Sequence, residues 1–241
     1  MGINAIQCRE VSKSYGKHHV LNGIDFTVPA GSFFGLVGMN GSGKSTMIKA
    51  ILDLISIERG HIELFGKSHR KVNAREQVAY LPDRFSPPIH LKGKDFIQYM
   101  LELHASKKSK AAIYDMLDAL ELGRNTMESS VRSLSKGMTQ KLGLASCLLS
   151  NKSLLILDEP MSGLDPKARV LFKQQLFRLK QQGVTLFFSS HVLADVDEMA
   201  DKMAVLHKSK ILFEGSSSDF KQKHGSDTLE QAYINCIDVV E

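Results

Sequence analysis

Gly38-Met39-Asn40-Gly41-Ser42-Gly43-Lys44-Ser45-Thr46 is the stretch on which the fold turns. Before it runs Phe33-Phe34-Gly35-Leu36-Val37, apolar and of the length of a buried strand. After it, Ile48, Ile51, Leu52 and Ile55 recur at helical spacing within Met47–Ile55. Strand, glycine-rich loop and helix, in that order, give the pattern G-x-x-x-x-G-K-[ST] the context of a phosphate-binding loop. Gly38, Gly41 and Gly43 let backbone N–H groups converge where a Cβ would clash, and the run through Asn40, Ser42 and Thr46 supplies those groups. The helix N-terminus adds unsatisfied donors and partial positive charge. Lys44 is placed to reach the β- and γ-phosphates of a nucleotide, and the Ser45 hydroxyl to hold Mg²⁺.

Composition sets the bounds. A chain of 241 residues, 43% hydrophobic and 24% charged, fits one large α/β domain or two small ones. The formal net charge of +5 is mild, and Lys107-Lys108-Ser109-Lys110 supplies part of it. A run of that kind is a solvated helix end; a nucleic-acid footprint needs a basic face interleaved with aromatics, so no nucleic-acid partner is expected. Cys8, Cys147 and Cys236 are odd in number, far apart and without C-x-x-C, which predicts reduced thiols and a cytosolic setting. No apolar run approaches the ~20 residues of a membrane span. The N-terminus lacks the basic–apolar–small order of a cleaved signal. His18-His19 has no accompanying metal-ligand pattern.

Along the chain, Ala5–Tyr15 reads as extended, and Ile24, Phe26 and Val28 alternate ahead of a turn at Pro29-Ala30-Gly31. Glu58-Arg59-Gly60 reads as a turn, followed by alternating Ile62 and Leu64. These segments predict an antiparallel β-layer attached to the phosphate-loop strand and helix. Val78–Leu81 is a further strand, closed by Pro82. After Pro87-Pro88 the texture changes. Phe96, Ile97, Met100, Leu101 and His104, then Ile113, Met116, Leu117 and Leu120, predict two helices of an inserted helical subdomain. Strands are predicted at Leu154–Leu157 and Val184–Ser190, with a helix between them that starts at Pro166 and stops at Gly183. A hairpin follows around Lys208-Ser209-Lys210, then a loop at Gly215–Ser218 and a last helix with Leu229, Ala232, Tyr233 and Cys236 on one face.

Two further stretches carry chemistry. In Leu154-Leu155-Ile156-Leu157-Asp158-Glu159-Pro160 a buried strand delivers two acids at its carboxyl end, where such sheets bind nucleotides. Asp158 is placed for the Mg²⁺ shell, through water, and Glu159 to polarise a water attacking the γ-phosphate. In Leu134-Ser135-Lys136-Gly137-Met138-Thr139-Gln140, Ser135 is a good N-cap for a helix lined by Met138, Leu142, Ala145 and Leu149. That is a second anion-binding device. One domain needs only one, which points to a nucleotide contact in another subunit.

The order of Gly38–Thr46, Leu134–Gln140, Leu154–Pro160, Ser162-Gly163-Leu164-Asp165 and His191 resembles the nucleotide-binding subunit of ABC (ATP-binding cassette) transporters, over residues 5–215. The resemblance implies an α/β fold: a RecA-like P-loop NTPase core with an N-terminal antiparallel β-subdomain and an inserted α-helical subdomain. It implies one ABC ATPase domain over 1–241: residues 1–83 give the β-subdomain and the phosphate-loop part of the core, 84–150 the helical subdomain, 151–215 the rest of the core and 216–241 a tail. It also implies ATP and Mg²⁺ as cofactors and a head-to-tail dimer of two copies with two ATPs between them. The partner it implies is an integral membrane permease subunit that would hold the ATPase at the inner face of the cell membrane. Tyr15 matches the aromatic that stacks on adenine, Ser135 and Gly137 the signature residues facing the partner's γ-phosphate, Asp165 the acid that crosses the dimer interface, and His191 the switch histidine at the γ-phosphate.

Two departures stand out. Lys136 and Met138 replace the first Gly and the Gln of the usual Leu-Ser-Gly-Gly-Gln, and Asp83 stands where many members carry Gln, leaving an acid able to bind Mg²⁺ or water. The signature variant and the tail Leu229-Glu230-Gln231-Ala232-Tyr233 resemble exporters of the ABC-2 type. The rival readings are a soluble ABC ATPase acting on nucleic acid or ribosomes and an ATP-switched binding module without turnover. The short span from phosphate loop to signature and the single cassette oppose the first. Lys44, Ser45, Asp158 and Glu159, all present, oppose the second.

Overall fold

The computed structural model describes residues 2–238. Alternating apolar residues build β1 (Asn4–Tyr15) and β2 (His18–Pro29), which pair antiparallel. There follow β3 (Phe33–Val37), α1 (Lys44–Ile51), β4 (Arg59–Leu64) and β5 (Lys67–Ser68). The antiparallel sheet has the order β2-β1-β4-β5. Ile6, Cys8 and Val11, Ile24, Phe26 and Val28, and Ile62 and Leu64 are among its buried residues, most of them at alternating positions.

Next come β6 (Val78–Leu81), α2 (Gly93–Leu103), α3 (Lys110–Ala119), α4 (Lys136–Leu148), β7 (Leu154–Asp158) and α5 (Pro166–Gln181). They lie in one compact unit, Val78–Val184. Here β6 and β7 pair in parallel with Tyr80 opposite Ile156, and α4 packs on both β6 and α2. Asp165 caps α5, with Pro166 at its start.

The chain then returns to the first unit, which joins Met1–Gln77 to Thr185–Glu241, through β8 (Thr185–Ser190), α6 (Leu193–Met199), β9 (Lys202–His207), β10 (Lys210–Gly215), α7 (Ser217–Lys223) and α8 (Leu229–Asp238). Strand β3 lies between β8 and β9, parallel to both. Its flanks explain why Phe33–Val37 carries no polar alternation. Phe26, Phe34 and Phe187 stack with ring centroids 5.6 to 5.9 Å apart. The hairpin β9–β10 is tied to β2 where Asn22 N–H donates to the Ser209 carbonyl at 2.8 Å and Thr27 N–H to Glu214 Oε1 at 3.2 Å.

Three local expectations are corrected and one element is new. Helix α1 begins at Lys44 and ends at Ile51 instead of running Met47–Ile55, because the loop's last residues are its first turn. Arg59 and Gly60 belong to β4, not to a turn. Ser216 opens α7 with a capping box to Asp219 where a loop was expected. Helix α6, which packs on β3, has no counterpart in the sequence reading.

Candidate active site

In the first unit, a Cβ at Gly38 would lie 2.5 Å from the Leu206 carbonyl oxygen and from Ser42 Oγ. Gly43 has φ +110°, and a Cβ there would meet the Val20 carbonyl oxygen at 2.9 Å. Both positions admit only glycine, so β9 and β2 press the loop from behind and hold its shape. Lys44 is buried, and its ammonium donates to the Gly38 carbonyl at 2.8 Å and the Met39 carbonyl at 3.3 Å. Ser42 N–H donates to the same Met39 oxygen at 3.1 Å, while Ser42 Oγ is buried without a hydrogen-bond partner. A cationic head resting on its own loop's carbonyls beside an unsatisfied hydroxyl fits a cradle shaped for an anion. Ser45 and Thr46 are half-buried in the first turn of α1, and Asn40 and Gly41 are exposed.

Tyr15 ends β1, 49% exposed, with Lys13 Nζ 5.3 Å from its ring centroid. Its face can receive another flat ring. His191 is exposed at the junction of β8 and α6.

In the second unit, Asp158 is the buried last residue of β7. Glu159 follows with φ +49°, a left-handed conformation that costs a non-glycine residue free energy. Its carbonyl accepts from Ser162 N–H at 3.0 Å, so a tight turn aims the residue out of the strand direction. Tyr80, on the neighbouring β6, went unremarked in the sequence. Burial, reinforced by Asp158 and Asp83, pushes its phenol up to about 12, keeping it a proton donor beside these carboxylates. The parallel pairing of β6 with β7 puts it there, and no local pattern announces that pairing. Asp83 is exposed just past β6.

The signature stretch opens α4. Ser135 Oγ accepts from Met138 N–H at 3.2 Å, so the residue is an N-cap as predicted, and it is exposed. Around Gly137 the nearest atom to an added Cβ is the Gly163 carbonyl oxygen at 3.5 Å. Gln140 is buried, with its amide 3.5 Å from the Pro160 carbonyl, which links α4 to the turn after Glu159. Asp165 accepts from Ala168 N–H at 2.9 Å, and that bond holds its carboxyl below the usual range. Among the described residues no cluster of three or more His, Cys, Asp or Glu side chains could hold a metal ion by itself. A Mg²⁺ held by one carboxylate, one hydroxyl, phosphates and water needs none. The three cysteines are free and buried.

Residues 21–162 match the family model described as ABC transporter. The chain belongs to the ABC transporter family. It is an ATP-binding subunit of that family, an ABC ATPase that hydrolyses ATP to drive transport. An uncharacterized ABC transporter ATP-binding protein of Synechocystis sp. is 34% identical over 226 residues, 90% of this chain, and this chain spans 64% of its length. The lantibiotic transport ATP-binding protein SrtF of Streptococcus pyogenes is 31% identical over 96% of this chain and 97% of its own. Nod factor export ATP-binding protein I of Burkholderia orbicola is 31% identical over 95% of this chain and 77% of its own. A solved ATP-binding subunit of an ABC transporter superposes with a TM-score of 0.86 at 28% identity, covering 97% of this chain and 99% of that one. The ABC ATPase fold inferred from the motifs is therefore the fold of this chain.

Proposed function

We propose that this ABC ATPase powers export through a separate membrane permease by closing on ATP as a pair of identical chains. The observation that carries the clamp is the exposed, capped N-terminus of α4 at Ser135, a second anion device in a chain whose phosphate loop already supplies one. Two copies arranged head to tail give each ATP a phosphate loop from one chain and a Ser135–Gly137 helix start from the other. Export is supported by the Lys136–Met138 signature, by the Leu229–Tyr233 tail and by the export role in the name of the Burkholderia relative. Among the described residues no helix is long and apolar enough to cross a membrane, so passage of cargo falls to the permease, which holds the ATPase at the inner membrane face.

In the reading we favour, Lys44 leaves the Gly38 and Met39 carbonyls for the β- and γ-phosphates, and Ser42 and the loop amides take the remaining oxygens. Ser45 and Asp158 are the residues that would hold Mg²⁺, with Asp83 able to accept from its water. A Mg²⁺ bound there would supply charge neutralisation at the phosphates. Glu159 accepts a proton from the attacking water, His191 donates to the γ-phosphate, and Tyr15 stacks on adenine. The test is Glu159→Gln. Turnover should fall at least about a hundredfold, while ATP with Mg²⁺ should now trap a dimer on size exclusion with light scattering. A mutant that stays monomeric and hydrolyses ATP at the wild-type rate rules out both the base and the clamp.

A further inference from the structure

Tyr15 stands at the end of β1, where the ladder beside it thins out. Strand β4 pairs with β1 only as far as Ser12 opposite Arg59. On the other side the β1–β2 register shifts between Val11 and Lys13, and again between Lys13 and Ser14, before the last pair, Tyr15 opposite His18. Gly16, at φ +61°, then turns the chain. A ladder end with a shifting register leaves backbone groups in need of other partners. Glu58 supplies them. Its N–H donates to the Ser12 carbonyl at 2.9 Å, which anchors it beside β1. Its carboxylate then accepts from the Ser14 N–H at 2.9 Å and from the Ser14 hydroxyl at 3.0 Å, one oxygen to each.

The clamp continues through Ser14. A hydroxyl has one proton, and here it goes to a carboxylate, which can only accept. His19 Nδ1, 2.9 Å from the same Oγ, therefore carries a proton and donates to it. The His19 carbonyl in turn accepts from Ser209 Oγ at 2.5 Å, in the β9–β10 hairpin. The Ser14 N–H, then its hydroxyl, hold the Glu58 carboxyl below its usual range, so it stays an acceptor at neutral pH. Glu58 is exposed, and charge attraction alone gains little there. What the position offers is geometry: two directed bonds to the residue immediately before Tyr15. A frayed hairpin tip costs a fold little. Order at the tip matters for a ring that has to meet a ligand already aimed.

We propose that Glu58 is a positioning residue for the nucleotide base, holding Ser14 so that the Tyr15 ring is presented before ATP arrives. The proposal rests on Tyr15 being the ring that stacks on adenine. Lys13 Nζ lies 5.3 Å from the ring centroid and the residue is 49% exposed, so the ring keeps area open to a ligand. A ring already held in one orientation loses less freedom on binding, and the gain appears in affinity rather than in the chemical step. The gain concerns the base and not the phosphates.

The experiment compares Glu58→Ala, Glu58→Gln, Tyr15→Ala and the double alanine variant in the full chain. Readouts are ATP KM and kcat by phosphate release, and the inhibition constant of inorganic tripolyphosphate, which has no base. Tyr15→Ala should raise KM about tenfold, the upper worth of an aromatic stack. Glu58→Ala should raise it about three- to fivefold, the cost of ordering one ring and its turn on binding, with kcat at saturating ATP within about twofold. Its tripolyphosphate constant should match wild type, and in the Tyr15→Ala background it should add nothing to KM. Glu58→Gln keeps an acceptor for the Ser14 N–H and a partner for the hydroxyl, so KM should return to within about 1.5-fold of wild type. The role of Glu58 is overturned by a Glu58→Ala KM within about 1.5-fold of wild type, by an equal loss of tripolyphosphate affinity, by effects that add to those of Tyr15→Ala, or by a glutamine variant no better than the alanine one. If Tyr15→Ala raises KM and Glu58→Ala does not, only the role of Glu58 falls. If Tyr15→Ala leaves KM unchanged, the adenine assignment is wrong and the proposal falls with it.

Discussion

The phosphate loop and the signature loop both end in a helix start dressed with small residues, yet they are built to opposite rules. The first is pressed from behind. Carbonyls of Leu206 and Val20 leave no room for a Cβ at Gly38 or Gly43, and Lys44 is buried against the loop. The second is open. Ser135 is exposed, Gly137 has only ordinary contacts, and the Ser135 side chain is spent on capping the helix. A loop that grips a ligand unaided must be rigid before the ligand arrives, because each donor placed in advance costs nothing on binding. On the proposed head-to-tail pairing, a loop that meets its ligand from across an interface needs exposure first, and the partner chain would complete its geometry. The same anion chemistry therefore takes two shapes, depending on who brings the phosphate.

Mutations can break this contrast. The largest effect should come from Lys44→Ala, which removes the buried cation of the rigid loop. ATPase activity should drop about a hundredfold or more, measured by phosphate release, with the fold intact by circular dichroism. Next come matched glycine changes. Gly43→Ala puts a Cβ at φ +110° against the Val20 carbonyl and should cost about 2 kcal/mol, seen as a fall of roughly 4–8 °C in melting temperature. Gly137→Ala meets nothing closer than 3.5 Å inside a helix and should leave the melting temperature level or raised by a few degrees, while weakening ATP-driven dimerisation. If Gly137→Ala destabilises as much as Gly43→Ala, the contrast is false.

Smaller effects sharpen it. Ser135→Ala should cost about 1 kcal/mol of helix capping, roughly 2–4 °C. Ser135→Asp keeps the cap, so its melting temperature should stay near wild type, but its charge should abolish the ATP-bound dimer in light scattering. Smallest is a pH effect at Asp165. Its carboxyl is held low by the Ala168 N–H. The stabilisation is present above the unfolded-state pKa of an Asp and is lost as pH falls through the depressed folded value. Asp165→Asn should flatten the acid limb of the stability curve by a small, measurable amount and leave the neutral region nearly unchanged.

Much of this architecture was legible because its signals were local. The alternation at Ile24, Phe26 and Val28, the unbroken apolar run before Asp158 and the Ser135 cap each depend on neighbours in sequence, and each appears as expected. What escaped depends on the tertiary setting. Seven-residue α6 carries too few turns for a periodic stripe and is held by packing on β3. Helix α7 hid in Gly215-Ser216-Ser217-Ser218, whose composition reads as loop although Ser216 and Asp219 spell a capping box. Gly60 looked like a turn because glycine punctuates chains. In the fold it lies in β4 close against the Glu10 carbonyl, where the β1–β4 register shifts. The place of Asp158 at the buried end of its strand was readable, but its Tyr80 neighbour required knowing which strands pair.

Glu159 sits in a backbone region that suits Gly or Asn far better than Glu. Local chain preference and the reaction thus pull the codon in different directions. A population of variants screened for heat resistance alone would drift toward Gly or Asn at this position and arrive at sturdier proteins, inert ones on the proposed role of Glu159. On the proposed mechanism, the residue that turns the motor over stands where the backbone would favour another.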